Sequence, residues 1–281
     1  MRIAGESAGR GLGSMFGAMS KIAIAGLNAE VERANELFAS LTAQEWAAPS
    51  GCAGWRVQDV AQHMAAVYQQ IAAADTIEVD TSTAEGAEAS AEMVVQARKD
   101  WTPEQVIAAY TEWAPQGVAA LAALQEPPMA DTVVPLADLG SHPMHILGDA
   151  IAFDHYCHLR HDIGAVIERA AALPHDTNVL RPAVDWMLAG LPQMCADALA
   201  AGPQQAVNIV FEGPAACSYL LAPGDGSWTV TPAADSDAPA VRTTAHDFIS
   251  WATQRSDWRE TSTGDVDHGD AAAVLDVINV I

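Results

Sequence analysis

The sequence predicts an α+β protein: an N-terminal up-down four-helix bundle followed by a small α+β domain. Three observations lead there. Residues 24–172 carry four long segments, each with an apolar stripe at helical spacing, whereas residues 206–244 carry short apolar runs parted by Gly- and Pro-containing turns. The chain has 281 residues, a length that suits one large domain or two small ones. Half of the residues are hydrophobic but only 6% are aromatic, and Ala is abundant, a composition that favours close-packed helices.

The expected organisation is a flexible tail over residues 1–21, a bundle over 22–175 and an α+β domain over 176–281. The tail is rich in Gly, Ala and Ser, includes Arg2, Glu6 and Arg10, and has no continuous apolar run of the secretory type. Met15 and Met19 each offer an alternative start, and the first ordered element is expected near Ile22. The first helix, 24–41, presents Leu27, Val31, Leu37 and Leu41. A connection carrying Pro49 and the turn Ser50-Gly51-Cys52-Ala53-Gly54 leads to the second helix, 55–74, whose stripe is Val57, Val60, Met64, Val67 and Ile71. Residues 75–90 read as an acidic surface connection. Thr102, Pro103 and Gln105 form a capped start for a third helix reaching Leu124. After a connection over 129–141, Ser141 is expected to cap a fourth helix running to about Ala171. Four such helices make an up-down bundle the economical arrangement.

In the second half, one more helix (181–200) precedes strand-like runs at 206–212, 216–221, 227–231 and 241–244. Helical segments follow at 246–254 and 270–278. Neither a GxGxxG fingerprint nor a Walker A sequence occurs, and no internal repeat is present.

Asp and Glu total 36 against 13 Lys and Arg, a formal charge of −23. This argues against nucleic acid, whose phosphates need basic partners, and against an anionic membrane surface. No segment reaches the length of a membrane span. Cys52, Cys157, Cys195 and Cys217 form no CxxC, so reduced thiols in a cytoplasmic protein are the simplest reading.

The histidines are unevenly placed. His142, His145, His155, His158 and His161 fall within 20 residues. In the fourth helix Leu147, Ile151, Asp154, His158 and Asp162 follow spacings of 4, 3, 4 and 4, so an apolar stripe continues into polar residues on the inward face. Asp154 and His158, one turn apart, can approach one ion together, and burying them without a partner would be costly. His63, at the edge of the second helix's stripe, offers a third ligand. Two imidazoles and a carboxylate suit zinc, nickel or iron. His145 and Asp149 form an alternative pair. His155 and His161 lie off the stripe, as exposed residues or in an outer layer, and Asp162 is placed to orient His158. Cys157 is expected to pack rather than react, and Trp46 and Trp55 to anchor the loop before the second helix.

The run Thr42-Ala43-Gln44-Glu45-Trp46, with Cys52-Ala53-Gly54-Trp55-Arg56-Val57-Gln58-Asp59-Val60-Ala61-Gln62-His63, resembles the opening of the mycothiol-dependent maleylpyruvate isomerase family. That family belongs to the DinB/YfiT-like metal-binding bundles. The resemblance implies His63 as a ligand. It also implies a Glu–His pair four residues apart, matched here by Asp154 and His158 with a carboxylate one methylene shorter, and a further Asp placed on Asp162. It extends to a sterol-carrier-like second domain, whose late helix resembles Phe248-Ile249-Ser250-Trp251-Ala252-Thr253-Gln254-Arg255 before Gly264-Asp265. The implied activity is metal-dependent isomerisation or S-transfer with mycothiol as thiol cosubstrate. The metal is zinc first, with nickel or iron as alternatives. Arg255 would hold the carboxylate of a small electrophilic substrate. A homodimer is compatible with this reading. Competing readings are a metal-dependent hydrolase on the same scaffold and a non-enzymatic DinB-like binding or stress-related protein.

Overall fold

The computed structural model describes residues 9–233, 236–266 and 269–280, with side chains from residue 22 onward. Helix α1 runs Gly9–Ser40. The expected tail is therefore helical from Gly9, and its residues 1–8 lie outside the described residues. The packed part of α1 begins at Ala23 and continues through Leu27, Val31, Ala34, Leu37 and Phe38, all buried. The short α2 (Ala43–Trp46) starts on a capping box, in which Thr42 Oγ1 accepts from the Glu45 amide and Glu45 accepts from that of Thr42. Helix α3 (Val57–Ala73) buries Val57, Val60, Ala61, Met64 and Tyr68.

The acidic connection after α3 is shorter than expected, because Ala87–Ala97 forms helix α4 and buries Val94 and Val95. Its alanines favour helix strongly enough to offset the scattered acidic residues. Helix α5 (Pro103–Ala123) begins on the expected capping box of Thr102 and Gln105. The connection that follows pairs strand β1 (Val133–Pro135) antiparallel with β2 (Ser141–Pro143), so Ser141 lies in a strand rather than at a helix cap. Pro143 has no amide hydrogen and sits in extended backbone, which delays the helix.

The expected fourth helix is broken. A 3₁₀ turn, Met144–Ile146, leads into α6 (Leu147–Cys157), a π-helical segment His158–Ile163 continues it, and α7 (Glu168–Ala171) is separate. Helix α8 (Thr177–Met194) follows; the short α9 (Ala196–Ala201) comes next.

Helix α3 packs on α5, and α1 packs on both α5 and α6, completing the bundle. Helix α8 lies against α1 and α6 on one side and meets the second half of the chain on the other. That half is built on strands β3 (Val207–Glu212), β4 (Cys217–Pro223), β5 (Trp228–Pro232), β6 (Ala240–Thr244) and β7 (Thr263–Gly264), in the order β5-β4-β3-β6-β7. The β3–β6 pair is parallel and the other pairs are antiparallel. Helices α10 (Ala245–Ala252), α11 (Trp258–Thr261) and α12 (Asp270–Asp276) complete it. Phe248 of α10 meets Phe211 of β3 edge to face at 5.1 Å, and Tyr219 of β4 donates its hydroxyl to buried Asp185 of α8 at 2.7 Å.

Candidate metal centre

The inward end of α3 carries His63, and the junction of α6 with the π segment carries Asp154 and His158. Because α3 packs beside the π segment, the three side chains meet. His63 Nε2 lies 3.2 Å from Asp154 Oδ1, and His158 Nε2 lies 3.4 Å from the same oxygen. One ligand atom from each residue falls within 4.8 Å of the other two. The histidine rings meet edge to face, 4.9 Å between centroids. Each side chain keeps a small exposed fraction, 13% for both histidines and 20% for Asp154, so the cluster is reachable from solvent.

The other nitrogen of His158 is committed. Its Nδ1 lies 2.8 Å from Asp162 Oδ2, and Asp162 is fully buried. Arg255, beyond the end of α10, donates Nε and Nη2 to the two oxygens of Asp162 at 2.8 and 3.0 Å. A π turn widens the helix by one residue, a distortion frequent at functional sites. It is the backbone that carries His158, with its ring toward the cluster, together with Asp162, which stands below it.

The charges reinforce one another. Burial pushes the Asp154 carboxyl up, but the charge of His158 and the imidazoles of His155, His158 and His63 outweigh it and hold the group well below the usual range. Burial alone would lower His158, yet Asp154 first and Asp162 next hold it well above an ordinary histidine. Asp162 also resists burial and stays ionised beneath His158 and Arg255.

The loop before α3 forms one wall. Gly51 donates its amide to the Asp162 carbonyl at 2.8 Å, and a Cβ on Gly51 would lie 3.0 Å from both Cα and Oδ1 of Asp162, so this approach favours glycine. Cys52 Sγ thereby comes 4.0 Å from His158 Nδ1, and Cys52, His158 and Asp162 form a second group with metal-ligand proximity. Trp55, half-buried, packs 5.3 Å from the His63 ring and donates Nε1 to Glu92 of α4 at 2.6 Å. Trp46 is buried in the core.

Other candidates lie elsewhere. His145 Nδ1 donates to the Ala130 carbonyl at 2.9 Å and Asp149 is buried away from it, so this pair joins no ligand group among the described residues. His155 is fully buried against Tyr68, so of the two expected positions, exposed or in an outer layer, the exposed one is excluded, because the bundle surrounds α6 on more than one side. His161 is enclosed too, stacked on His246 of α10 at 4.3 Å. Cys157 is buried, and burial raises its thiol to about 12, which suits packing rather than reactivity. Cys52 was the contributor that periodicity did not reveal. The one sequence signal for Cys52 is its place in the turn that the glycines bend back toward the bundle.

The donor set fits a divalent transition ion. Two imidazoles and one carboxylate converge, and His158 has its second nitrogen tied to a carboxylate, as metal-bound imidazoles do.

Fold and site together define a four-helix bundle, with a candidate metal centre, joined to a small α+β region. Residues 27–163 match the family model for the mycothiol maleylpyruvate isomerase N-terminal domain. The fold is similar to the crystal structure of the mycothiol-dependent maleylpyruvate isomerase, at 16% identity and a TM-score of 0.54, with 89% of this chain and 94% of that chain covered. A histidine-to-alanine mutant of the mycothiol-dependent maleylpyruvate isomerase aligns over the same shares at 14% identity and a TM-score of 0.51. No curated protein sequence matches this chain.

Proposed function

We propose that this protein is a metal-dependent enzyme that uses mycothiol to isomerise or conjugate a small electrophilic substrate bearing a carboxylate. The observation that carries this is the convergence of His63, Asp154 and His158 from two helices, with Asp162 behind His158. These three residues would hold a divalent ion, zinc first. A bound ion with an open position lowers the pKa of a thiol and supplies a thiolate at neutral pH.

The protein's own residues do the rest. Asp162 accepts from His158 Nδ1 and so keeps Nε2 pointed into the cluster. Arg255 spends Nε and Nη2 on Asp162, and among the described residues no hydrogen bond uses its Nη1. That remaining donor is offered to a substrate carboxylate. The loop bearing Cys52 and Trp55 packs against His158 and His63 and covers one side of the cluster. In isomerisation the thiolate adds to a conjugated double bond, the resulting single bond rotates, and elimination returns the thiolate and the alkene in its other geometry. In conjugation the thioether leaves with a proton gained at carbon.

No helix among the described residues is long and apolar enough to cross a membrane. A cytoplasmic location, where the four free cysteines stay reduced, is part of this proposal.

The test is turnover of maleylpyruvate and related electrophiles by the purified full chain, with and without mycothiol, before and after chelation. Turnover should require both thiol and metal. Metal-dependent turnover without thiol would favour a hydrolase instead. Metal content measured on His63→Ala should fall far below that of the wild type while helical content is retained. Full metal retention there would remove His63 from the site.

A further inference from the structure

The two oxygens of Asp154 have different surroundings. Oδ1 faces the nitrogens of His63 and His158. Oδ2 is buried, has no hydrogen-bond partner among the described residues, and lies 3.2 Å from His155 Nδ1. His155 is itself fully buried, and neither ring nitrogen makes an aligned hydrogen bond. Its ring is walled by Tyr68 of α3, 4.5 Å between centroids, and Tyr110 of α5, at 6.1 Å. The hydroxyls of both tyrosines and Gln62 Oε1 are likewise buried without a protein partner.

A phenylalanine would fill this space without burying two ring nitrogens, which carry a desolvation cost unless they are used. The nitrogen nearest the cluster stands at hydrogen-bond distance from the one carboxylate oxygen that faces away from it. A turn of the imidazole about its broad χ2 well brings the N–H into line.

Resting on the metal reading above, we propose that His155 is a positioning residue for Asp154: its Nδ1–H donates to Oδ2 and holds Oδ1 toward the ion. An aspartate has few bonds between backbone and carboxylate, yet its carboxyl plane can still rotate and exchange the two oxygens. Anchoring Oδ2 from the core prevents that rotation. His155 then does for the carboxylate ligand what Asp162 does for His158, and Tyr68 and Tyr110 hold the ring that does it. Outer-layer partners of this kind are worth about 10- to 100-fold in metal affinity.

The test is zinc affinity of the full-length purified chain, by competition with a chromophoric chelator, with apo-protein unfolding followed in parallel. His155→Phe keeps the ring volume and removes the donor. It should lose about 10- to 100-fold in zinc affinity while the apo protein unfolds at or above the wild-type temperature. His155→Asn, whose amide nitrogen falls near the place of Nδ1, should recover much of that loss. His155→Gln, whose amide falls near Nε2, should not. Zinc affinity of His155→Phe within about threefold of wild type overturns the proposal. If His155→Phe does not fold, the Asn and Gln variants decide, and equal affinities for the two overturn it. A wild-type chain that binds none of zinc, nickel and iron overturns the metal reading itself, whereas wild-type zinc binding shared by His155→Phe overturns only the role of His155.

Discussion

Arg255 grips both oxygens of Asp162, at 2.8 and 3.0 Å, and the Asp162 carboxylate in turn meets His158 Nδ1 at 2.8 Å. A guanidinium after α10 thus braces an imidazole in the π segment through a carboxylate 93 residues away in sequence. The second half of the chain reaches the candidate centre through this contact.

Breaking that brace should have a graded effect. Arg255→Ala leaves a fully buried carboxylate with His158 alone and should cost about 3 kcal/mol of stability. Arg255→Lys keeps a charge but loses the fork, and should recover part of it. Denaturant midpoints measure both. Thiol-dependent turnover should fall at least about tenfold in either variant, since one hydrogen bond to charge is lost at the site.

A second buried ion pair makes the bundle's own prediction. Arg160 of the π segment donates Nη1 and Nη2 to Glu30 of α1 at 2.7 and 2.9 Å, with both side chains fully buried. Arg160→Met should cost about 3–5 kcal/mol because Glu30 is left under-compensated. Glu30→Leu combined with Arg160→Met should restore most of it. A double variant no more stable than the single one would show that the pair is not the cause.

Asp149 sets a pH dependence. It is 2% exposed, and burial first and the charge of Asp185 second raise its carboxyl well above the usual range. A raised folded-state pKa means the folded chain holds its proton longer than the unfolded chain does. Stability from this group is complete below the unfolded pKa of about 3.9 and is lost as pH rises through the folded value. Asp149→Asn should therefore match the wild type near pH 4 and melt higher at pH 8. Equal melting curves at both values would contradict the assignment.

Gly117 of α5 lets α3 approach. A Cβ there would lie 2.4 Å from Tyr68 Cδ1 and 2.9 Å from Tyr68 Cβ, too close for any rotamer to remain in place. Gly117→Ala should cost about 1–3 kcal/mol by overpacking. Because Tyr68 walls His155, its displacement should also change the near-ultraviolet circular dichroism, which reports the aromatic cluster directly.

Much of this architecture is local and therefore readable from residue order. The stripe Val57, Val60, Met64 and the Thr102–Gln105 capping box specify α3 and α5 because helix periodicity and capping act over four or five residues. The strands β3 to β6 fall where short apolar runs alternate with Gly and Pro turns. Asp154 and His158 share a face because they are one turn apart, and His63 could be set beside them because its stripe must point into the same bundle.

Other features depend on contacts between segments far apart in sequence. The π turn at His158–Ile163 breaks the regular period, and a continuous helix was the natural expectation there. Cys52 arrives because Gly51 docks on the Asp162 carbonyl, and Arg255 arrives because α10 seats beside the bundle. His155 looked peripheral on a helical wheel drawn for one buried face, but α6 is enclosed by α1, α5 and α8 and buries more than one. Sequence alone determined the packed part of α1, α3 and α5 and which residue types could gather on their inner faces. Tertiary packing decided which of those side chains meet, since burial on several sides and hydrogen bonds across 90 or more residues are not written in any local pattern.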